Sequence, residues 1–154
     1  MLSDEQYMEL ALEQAALAAE CGEVPVGAVL VLPDGQLFTA HNAPIMLHDP
    51  SAHAEIQAIR KACRAIGNYR LPEAELFVTL EPCTMCAGAI IHGRIKRLVY
   101  GASEPKTGAV ESLYTLLSDA RLNHQVDIKG GVLAEQCSAQ IKAFFKARRR
   151  SAVK

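Results

Sequence analysis

The sequence predicts an α/β protein in which helices pack on a mixed sheet of five strands. Three observations favour this class. A β-hairpin pattern follows the first helix, helix and strand patterns then alternate towards the C-terminus, and 154 residues is the length of one ordinary domain. Half of the residues are hydrophobic and 21% are charged, which argues against disorder, collagen and coiled coil. We therefore expect residues 1–154 to form a single domain.

The chain opens with a helix followed by a β-hairpin. Ser3 has Gln6 three positions further on, the pattern of a capping box, and Gly22 provides a helix end. The apolar, β-branched run 26–32 predicts a buried strand. A Pro-Asp-Gly turn signal then connects this strand to a second one over 36–41.

Loops, helices and strands alternate through the rest of the chain. A loop with two prolines over 42–50 precedes a helix with one apolar face, which Gly67 ends. The last strand pattern is the weakest of the five, because two glycines interrupt it. The further strands are expected at 75–80, 97–101 and 126–129, and the further helices at 52–66, 82–92, 110–117 and 134–150.

Charge is divided unevenly along the chain. Residues 1–59 contain nine acidic side chains and no Lys or Arg, whereas residues 60–154 contain sixteen basic and eight acidic side chains. A basic terminal segment is a candidate contact for a polyanion such as nucleic acid. A solvated helix end, where cations suit the helix dipole, is the alternative. The basic residues after the last acid are Lys142, Lys146, Arg148, Arg149, Arg150 and Lys154.

Neither a secretion signal nor a membrane span is apparent. The N-terminus is acidic, and the longest apolar run, 26–32, is far shorter than the roughly 18 residues that suggest a transmembrane helix. We therefore expect a cytoplasmic protein without a membrane partner. Two of the five cysteines form a Cys-x-x-Cys pair, which in a reducing compartment is more typical of metal binding or redox activity than of a structural disulfide.

Three residues, His53, Cys83 and Cys86, form a set that catalytic zinc sites use. Cys83 and Cys86 are three positions apart at the start of a predicted helix, so they share a face and lie where the helix dipole favours thiolates. His53 begins another helix and supplies a neutral ligand. We expect one zinc ion per chain, with its fourth position open. The other cysteines, expected to be small core residues, are Cys21, Cys63 and Cys137.

Glu55 favours an enzymatic site over a structural one. It follows His53 by two positions, in the first turn of the predicted helix. A helical wheel places residues two apart on different faces, so spacing alone does not bring both to one ion. An acidic residue that merely suits a helix N-terminus is the alternative. The joint occurrence of His-x-Glu and Cys-x-x-Cys at two helix starts favours catalysis.

The segments His53-Ala54-Glu55 and Pro82-Cys83-Thr84-Met85-Cys86 resemble the signature of zinc-dependent nucleobase deaminases. The resemblance covers nearly the whole chain and points to the bacterial tRNA-specific adenosine deaminases. It implies a three-layer α/β/α cytidine-deaminase-like fold, a homodimer, and hydrolytic conversion of the wobble adenosine of a tRNA anticodon to inosine. The further stretches that carry it are 23–29, 48–50, 68–71, 78–83 and 106–108.

The resemblance also implies roles for single residues. Glu55 is expected to be the catalytic residue, moving protons between the attacking water, the ring nitrogen and the departing ammonia. Asn42 is expected to hydrogen-bond the target nucleoside. Glu104 lies in a loop near the substrate nucleotides, where many family members have Asp. The aromatic and basic side chains suited to flanking nucleotides of the anticodon arm are Phe145, Arg148 and Arg149.

Two alternatives stay open on the sequence alone. A deaminase of a free base or nucleoside, of guanine or cytidine type, shares every metal ligand and does not need a basic C-terminus. A non-catalytic, zinc-stabilised RNA-binding module keeps the ligands but has no use for Glu55.

Overall fold

The computed structural model describes residues 1–153, with side chains as far as residue 151. Lys154, the last of the predicted basic residues, lies outside the described residues. The helices are α1 (Asp4–Glu20), α2 (Pro44–Leu47), α3 (Ala54–Ile66), α4 (Thr84–His92) and α5 (Ala134–Val153). The strands are β1 (Gly27–Val31), β2 (Leu37–His41), β3 (Glu75–Leu80), β4 (Arg97–Ala102) and β5 (Asp127–Lys129), and a 3₁₀ turn spans Leu116–Ser118.

A mixed sheet forms the middle of the protein, with strand order β2-β1-β3-β4-β5. β1 runs antiparallel to both β2 and β3, whereas β3 and β4, and β4 and β5, are parallel. In the hairpin, Gly27 pairs with His41 and Val31 pairs with Leu37. The mixed five-stranded sheet expected from the sequence is therefore confirmed.

Helices cover both faces of this sheet. Because side chains alternate along a strand, Leu30 and Leu76 face the layer of α3 and α4, and Val29 and Phe77 face the layer of α1 and α5. At Gly27 α1 approaches the strand so closely that a β-carbon would overlap the backbone of the helix. The result is the three-layer α/β/α arrangement that the resemblance implied.

The N-terminal capping box is confirmed. The Ser3 hydroxyl accepts a hydrogen bond from the Gln6 N–H at 3.2 Å, and the Gln6 side chain accepts one from the Ser3 N–H at 2.9 Å. Within residues 1–153, no helix is long and apolar enough to cross a lipid bilayer.

The helix expected over 110–117 is wrong. Residues 110–113 form turns and a bend, and Leu116–Ser118 forms a 3₁₀ turn. The N–H groups of residues 110–112 donate to the carboxylate of Glu81. The N–H groups of Leu113 and Tyr114 both donate to the carbonyl of Gly108, so the backbone makes wide turns in place of the hydrogen bonds to residue i−4 that an α-helix has.

The loop expected over 42–50 contains a short helix, α2, that the sequence analysis missed. Pro44 occupies its first turn, a position where the missing N–H costs nothing. Buried Glu23 accepts hydrogen bonds from the N–H groups of Ile45 at 3.2 Å and Met46 at 2.8 Å. A carboxylate 22 residues away thus stabilises the N-terminus of a single helical turn.

Candidate active site

The three predicted metal ligands meet at the N-termini of two helices. His53 is the N-cap of α3 and Cys83 is the N-cap of α4, and both have extended backbone. Cys86 lies in the first turn of α4 and is fully buried. Neither N-cap side chain makes a capping hydrogen bond to its own helix, and both side chains point at a shared ligand position.

The spacing of the ligand atoms fits a tetrahedral zinc site. Nδ1 of His53 lies 3.6 Å from Sγ of Cys83 and 3.5 Å from Sγ of Cys86. Zinc–sulfur bonds of about 2.3 Å and a zinc–nitrogen bond of about 2.0 Å, at a tetrahedral angle, place nitrogen and sulfur about 3.5 Å apart. All three ligand atoms lie within 4.8 Å of one another. The donor set and its geometry therefore fit one zinc ion with a fourth position left open.

Hydrogen bonds among the ligands prepare one thiolate. A hydrogen bond from the Cys86 thiol lowers the pKa of Cys83 to about 3, against the opposing effect of burial, and His53 adds to the lowering. The same contact, together with burial, raises the pKa of Cys86. The hydrogen bond to Cys83 also raises the pKa of His53. A metal cation at this point takes the place of the shared protons, because ligation requires thiolates and a neutral imidazole.

Glu55 faces the same cavity as the ligands, although it lies only two residues after His53. The helical wheel does not apply to this pair, because His53 is the extended N-cap and Glu55 is already inside α3. The carboxyl group is 4% exposed, and its burial raises its pKa, opposed by a backbone hydrogen bond and by His53. A buried carboxyl group with a raised pKa is suited to exchanging protons near neutral pH.

A cavity of about 210 Å³ opens beside the ligands. Asn42, predicted to bind the nucleoside, lies on its wall and is 8% exposed. Five further wall residues were not predicted from the sequence, although all of them lie in the stretches that resemble the deaminases. The cavity is lined by Val24, Val26, Asn42, His53, Glu55, Leu80, Glu81, Cys83 and Thr107.

Glu81 is a buried carboxylate held entirely by hydrogen bonds. Burial alone raises its pKa, but hydrogen bonds from the Glu111 N–H, the Ser112 hydroxyl and neighbouring N–H groups outweigh burial and hold the pKa of Glu81 below its usual range. The side chain is therefore ionised at neutral pH, directly before Pro82 and the first thiolate ligand.

The predicted RNA-contact residues lie outside the cavity wall. The half-buried Glu104 side chain turns back to accept a hydrogen bond from the Lys106 N–H at 3.1 Å. Phe145 is 39% exposed on α5. Arg148 and Arg149 are both exposed, and the Arg148 guanidinium lies 5.4 Å from the centre of the Phe144 ring.

The three cysteines outside the ligand set differ in burial. Cys137 is fully buried in the layer of α1 and α5, as expected, and Cys63 is half-buried. Cys21 is exposed, so its expected core position is wrong. Cys21 is the C-cap of α1, where the helix has ended, so helical periodicity no longer determines where its side chain lies.

The fold and this site together define a zinc-dependent deaminase. The cytidine and deoxycytidylate deaminase zinc-binding region matches residues 1–102, which contain all three ligands. A tRNA-specific adenosine deaminase of Haemophilus influenzae is 52% identical over 95% of this chain and 85% of its own length. A tRNA-specific adenosine deaminase of Bacillus subtilis is 45% identical over 97% of this chain and 93% of its own. The chain belongs to the tRNA-specific adenosine deaminase branch of the cytidine and deoxycytidylate deaminase family, which confirms the resemblance.

Solved structures extend the comparison. One, from a study of A-to-I editing by tRNA:A34 deaminases at the wobble position of transfer RNA, is 50% identical, with a TM-score of 0.84 over 88% of this chain and 98% of the other. A guanine deaminase from Nitrosomonas europaea has a TM-score of 0.81 over 94% of this chain and 85% of the other, at 21% identity. This second likeness is one of fold alone.

Proposed function

We propose that this chain converts adenosine to inosine at the wobble position of a tRNA anticodon, with water as co-substrate and ammonia as the second product. The observation that carries the proposal is the buried carboxyl group of Glu55 in the cavity that two of the three ligands, His53 and Cys83, border. A structural zinc module has no use for such a carboxyl group. Similarity to tRNA-specific adenosine deaminases over almost the whole chain supports RNA as the substrate rather than a free base.

His53, Cys83 and Cys86 hold the zinc ion in this proposal. When bound, zinc supplies a Lewis acid that lowers the pKa of water from 15.7 towards about 7. The two thiolates balance the charge of the cation, and the N-termini of α3 and α4 add partial positive charge of about half a unit each. The ligand set therefore places a nearly neutral centre in a largely buried site.

Glu55 moves the protons of the reaction. It accepts one proton from the attacking water, transfers it to the ring nitrogen next to the reacting carbon, and then helps to protonate the leaving amine. Water supplies the oxygen that remains on the ring, and the exocyclic nitrogen leaves as ammonia. One carboxyl group suffices, because it returns each proton that it accepts.

Substrate recognition has an inner and an outer part. Asn42 on the cavity wall is placed to hydrogen-bond the target nucleoside. The target base enters the cavity after leaving its stack, which costs least in a single-stranded loop such as an anticodon. Outside the cavity, Glu104 lies in a loop next to the wall, and the surface groups proposed to contact flanking nucleotides of the anticodon arm are Phe145, Arg148 and Arg149.

The proposed working form is a homodimer. Three consecutive apolar side chains of α2 form an exposed apolar patch: Ile45 is 59% exposed, Met46 49% and Leu47 50%. They support a self-association surface. Leu47→Asp is expected to shift sedimentation equilibrium towards the monomer, whereas Leu17→Asp, at a similarly exposed apolar site on α1, leaves it unchanged. We also propose that residues 1–154 form one domain. The proposed location of the protein is the cytoplasm, together with its tRNA substrate.

A direct assay tests the proposed function. Purified protein loaded with zinc is incubated with total tRNA, and the tRNA is then sequenced, because inosine is copied as guanosine. The expected result is conversion of adenosine at the first anticodon position. Free adenosine, guanine and cytidine are assayed in parallel for ammonia release. Preference for a free base or nucleoside over tRNA overturns the proposal.

A further inference from the structure

Glu81 lies between the end of β3 and the first thiolate ligand, and it is only 3% exposed. Among the ion pairs of residues 1–153, none involves this buried carboxylate. An ionised group in such a position requires compensation. Compensation comes from a single loop, residues 104–112, which we call the wall loop because Thr107 within it lines the cavity.

Both oxygens of Glu81 bind this loop. Oε2 accepts three successive backbone N–H groups, those of residues 110, 111 and 112, at 3.1, 2.8 and 3.0 Å. Successive N–H groups that point to one place form an anion-binding concavity. Oε1 accepts the N–H of Glu104 at 3.1 Å and also the hydroxyl of Ser112. One carboxylate therefore joins the two ends of the wall loop.

One further contact keeps the wall loop against the ligand segment: the N–H of Ala109 donates to the carbonyl of Pro82 at 2.8 Å. Within the loop, the N–H of Gly108 donates to the carbonyl of Glu104 at 2.8 Å. A β-carbon at residue 108 would overlap both the Glu81 carboxylate and the Glu104 carbonyl. The close approach therefore requires glycine at this position and holds Thr107 at the cavity.

We propose that Glu81 is a positioning residue for substrate binding, which fastens the wall loop to the segment that carries the zinc ligands. This inference rests on the proposed function. Through its contacts with both loop ends, Glu81 sets the place of Thr107 on the cavity wall and of the Glu104 backbone beside it. The wall loop is therefore already ordered before RNA binds, and the binding free energy is not reduced by the cost of ordering it.

The test is the Glu81→Gln variant of the full, zinc-loaded chain. An amide of the same size lacks the charge and presents an NH₂ group to donors, so the wall loop opens. If the loop is competent about a tenth of the time, KM for an anticodon stem-loop RNA rises about tenfold. The kcat value changes much less, because the wall loop is closed in the RNA-bound enzyme. The zinc content stays at that of the wild type.

Milder variants keep the inference falsifiable if Glu81→Gln fails to fold. Ser112→Ala removes one donor and is expected to raise KM by a smaller factor. Gly108→Ala displaces the wall loop by steric overlap with the Glu81 carboxylate and the Glu104 carbonyl, and it leaves the charge of Glu81 unchanged. The effects of Glu81→Gln and Ser112→Ala are expected to be non-additive, because both act on one contact. Asp4→Asn, which removes a hydrogen-bonded carboxylate on α1, is the matched control and leaves KM unchanged.

Hydrogen exchange separates this inference from the proposed function. The amides of residues 110–112 are expected to be protected in the wild type and to exchange faster in Glu81→Gln, whatever the substrate is. If the wild type does not deaminate tRNA but its amides at residues 110–112 are protected, only the proposed function is overturned. An unchanged KM in a zinc-loaded Glu81→Gln enzyme, or a joint loss of zinc and kcat, overturns the positioning role.

Discussion

Arg97 on β4 forms a bidentate ion pair with Asp4 on α1. Nη1 lies 2.9 Å from Oδ1 and Nη2 lies 2.7 Å from Oδ2. The ammonium group of Lys129 adds a contact at 3.0 Å. The pair joins residues 93 positions apart and ties the first helix to the sheet. The hydrogen bond from Arg97 is the main cause that lowers the pKa of Asp4 from 3.8 to about 2, against opposing desolvation.

The first prediction concerns acid stability. Because the pKa of Asp4 is lower in the folded protein, its contribution to stability is complete above about pH 4 and is lost as the pH falls towards 2. Asp4→Asn is expected to reduce the free energy of unfolding at pH 7 by about 1 kcal/mol, since water and salt screen a pair near the surface. Urea unfolding between pH 7 and pH 2 measures the difference in unfolding free energy between the wild type and Asp4→Asn. This difference is expected to become smaller below pH 4.

Glu9→Gln is the control for this prediction, because Glu9 is an exposed acid on the same helix. Its unfolding free energy is expected to follow that of the wild type at every pH. A constant difference between wild type and Asp4→Asn down to pH 2 contradicts the assigned linkage.

The second prediction concerns the metal. Cys86→Ala removes a buried ligand and is expected to reduce zinc well below one ion per chain. Because metal binding contributes to folding, the melting temperature falls too, by roughly 5 °C or more. Cys63→Ala, which changes a half-buried cysteine outside the ligand set, keeps its zinc. Elemental analysis and thermal unfolding provide the measurements. Full zinc content in Cys86→Ala contradicts the ligand assignment.

The third prediction separates chemistry from metal binding. Glu55→Gln retains the size of the buried side chain but cannot accept a proton. Zinc content and fold are expected to be unchanged, while kcat falls by at least about 10²-fold, the usual scale for a general acid–base group. Single-turnover deamination of an anticodon stem-loop and elemental analysis of the same preparation test it. Near-normal turnover rules out the proton-transfer role.

The fourth prediction concerns the C-terminal arginines. Replacing Arg148, Arg149 and Arg150 with Ala is expected to weaken RNA binding and to flatten its salt dependence, since phosphate contacts release counterions. The slope of log K against log salt is expected to fall by about 0.7 to 0.9 for each lost contact. Turnover at saturating RNA changes less than affinity. Binding is measured over a salt series.

Arg121→Ala serves as the comparison for the arginine cluster, because Arg121 is exposed but already paired with Asp119 at 2.7 Å. Its salt slope is expected to match that of the wild type. If the triple variant and the wild type have equal RNA affinity and parallel salt slopes, the arginines of α5 do not contact RNA and only form a solvated helix end.

Local patterns in the sequence determined most of the secondary structure and the zinc ligands. The Ser3–Gln6 capping box, the β-branched run of β1 and the glycine after α3 act over a few residues, so their effects are visible in the chain itself. Cys83 and Cys86 lie in the first turn of one helix, and helix geometry places residues three positions apart on the same face.

The tertiary structure alone decided how distant groups meet. The face of Glu55 depended on whether His53 lies inside α3 or at its extended N-cap, and the backbone of the folded chain settles that. The helix expected over 110–117 is replaced by turns, in which the N–H groups of Leu113 and Tyr114 bond to the carbonyl of Gly108. Glu81, about 30 residues earlier, accepts the N–H groups of residues 110–112. Periodicity describes a segment's own preference, whereas a buried carboxylate must be satisfied by whatever donors the fold brings to it.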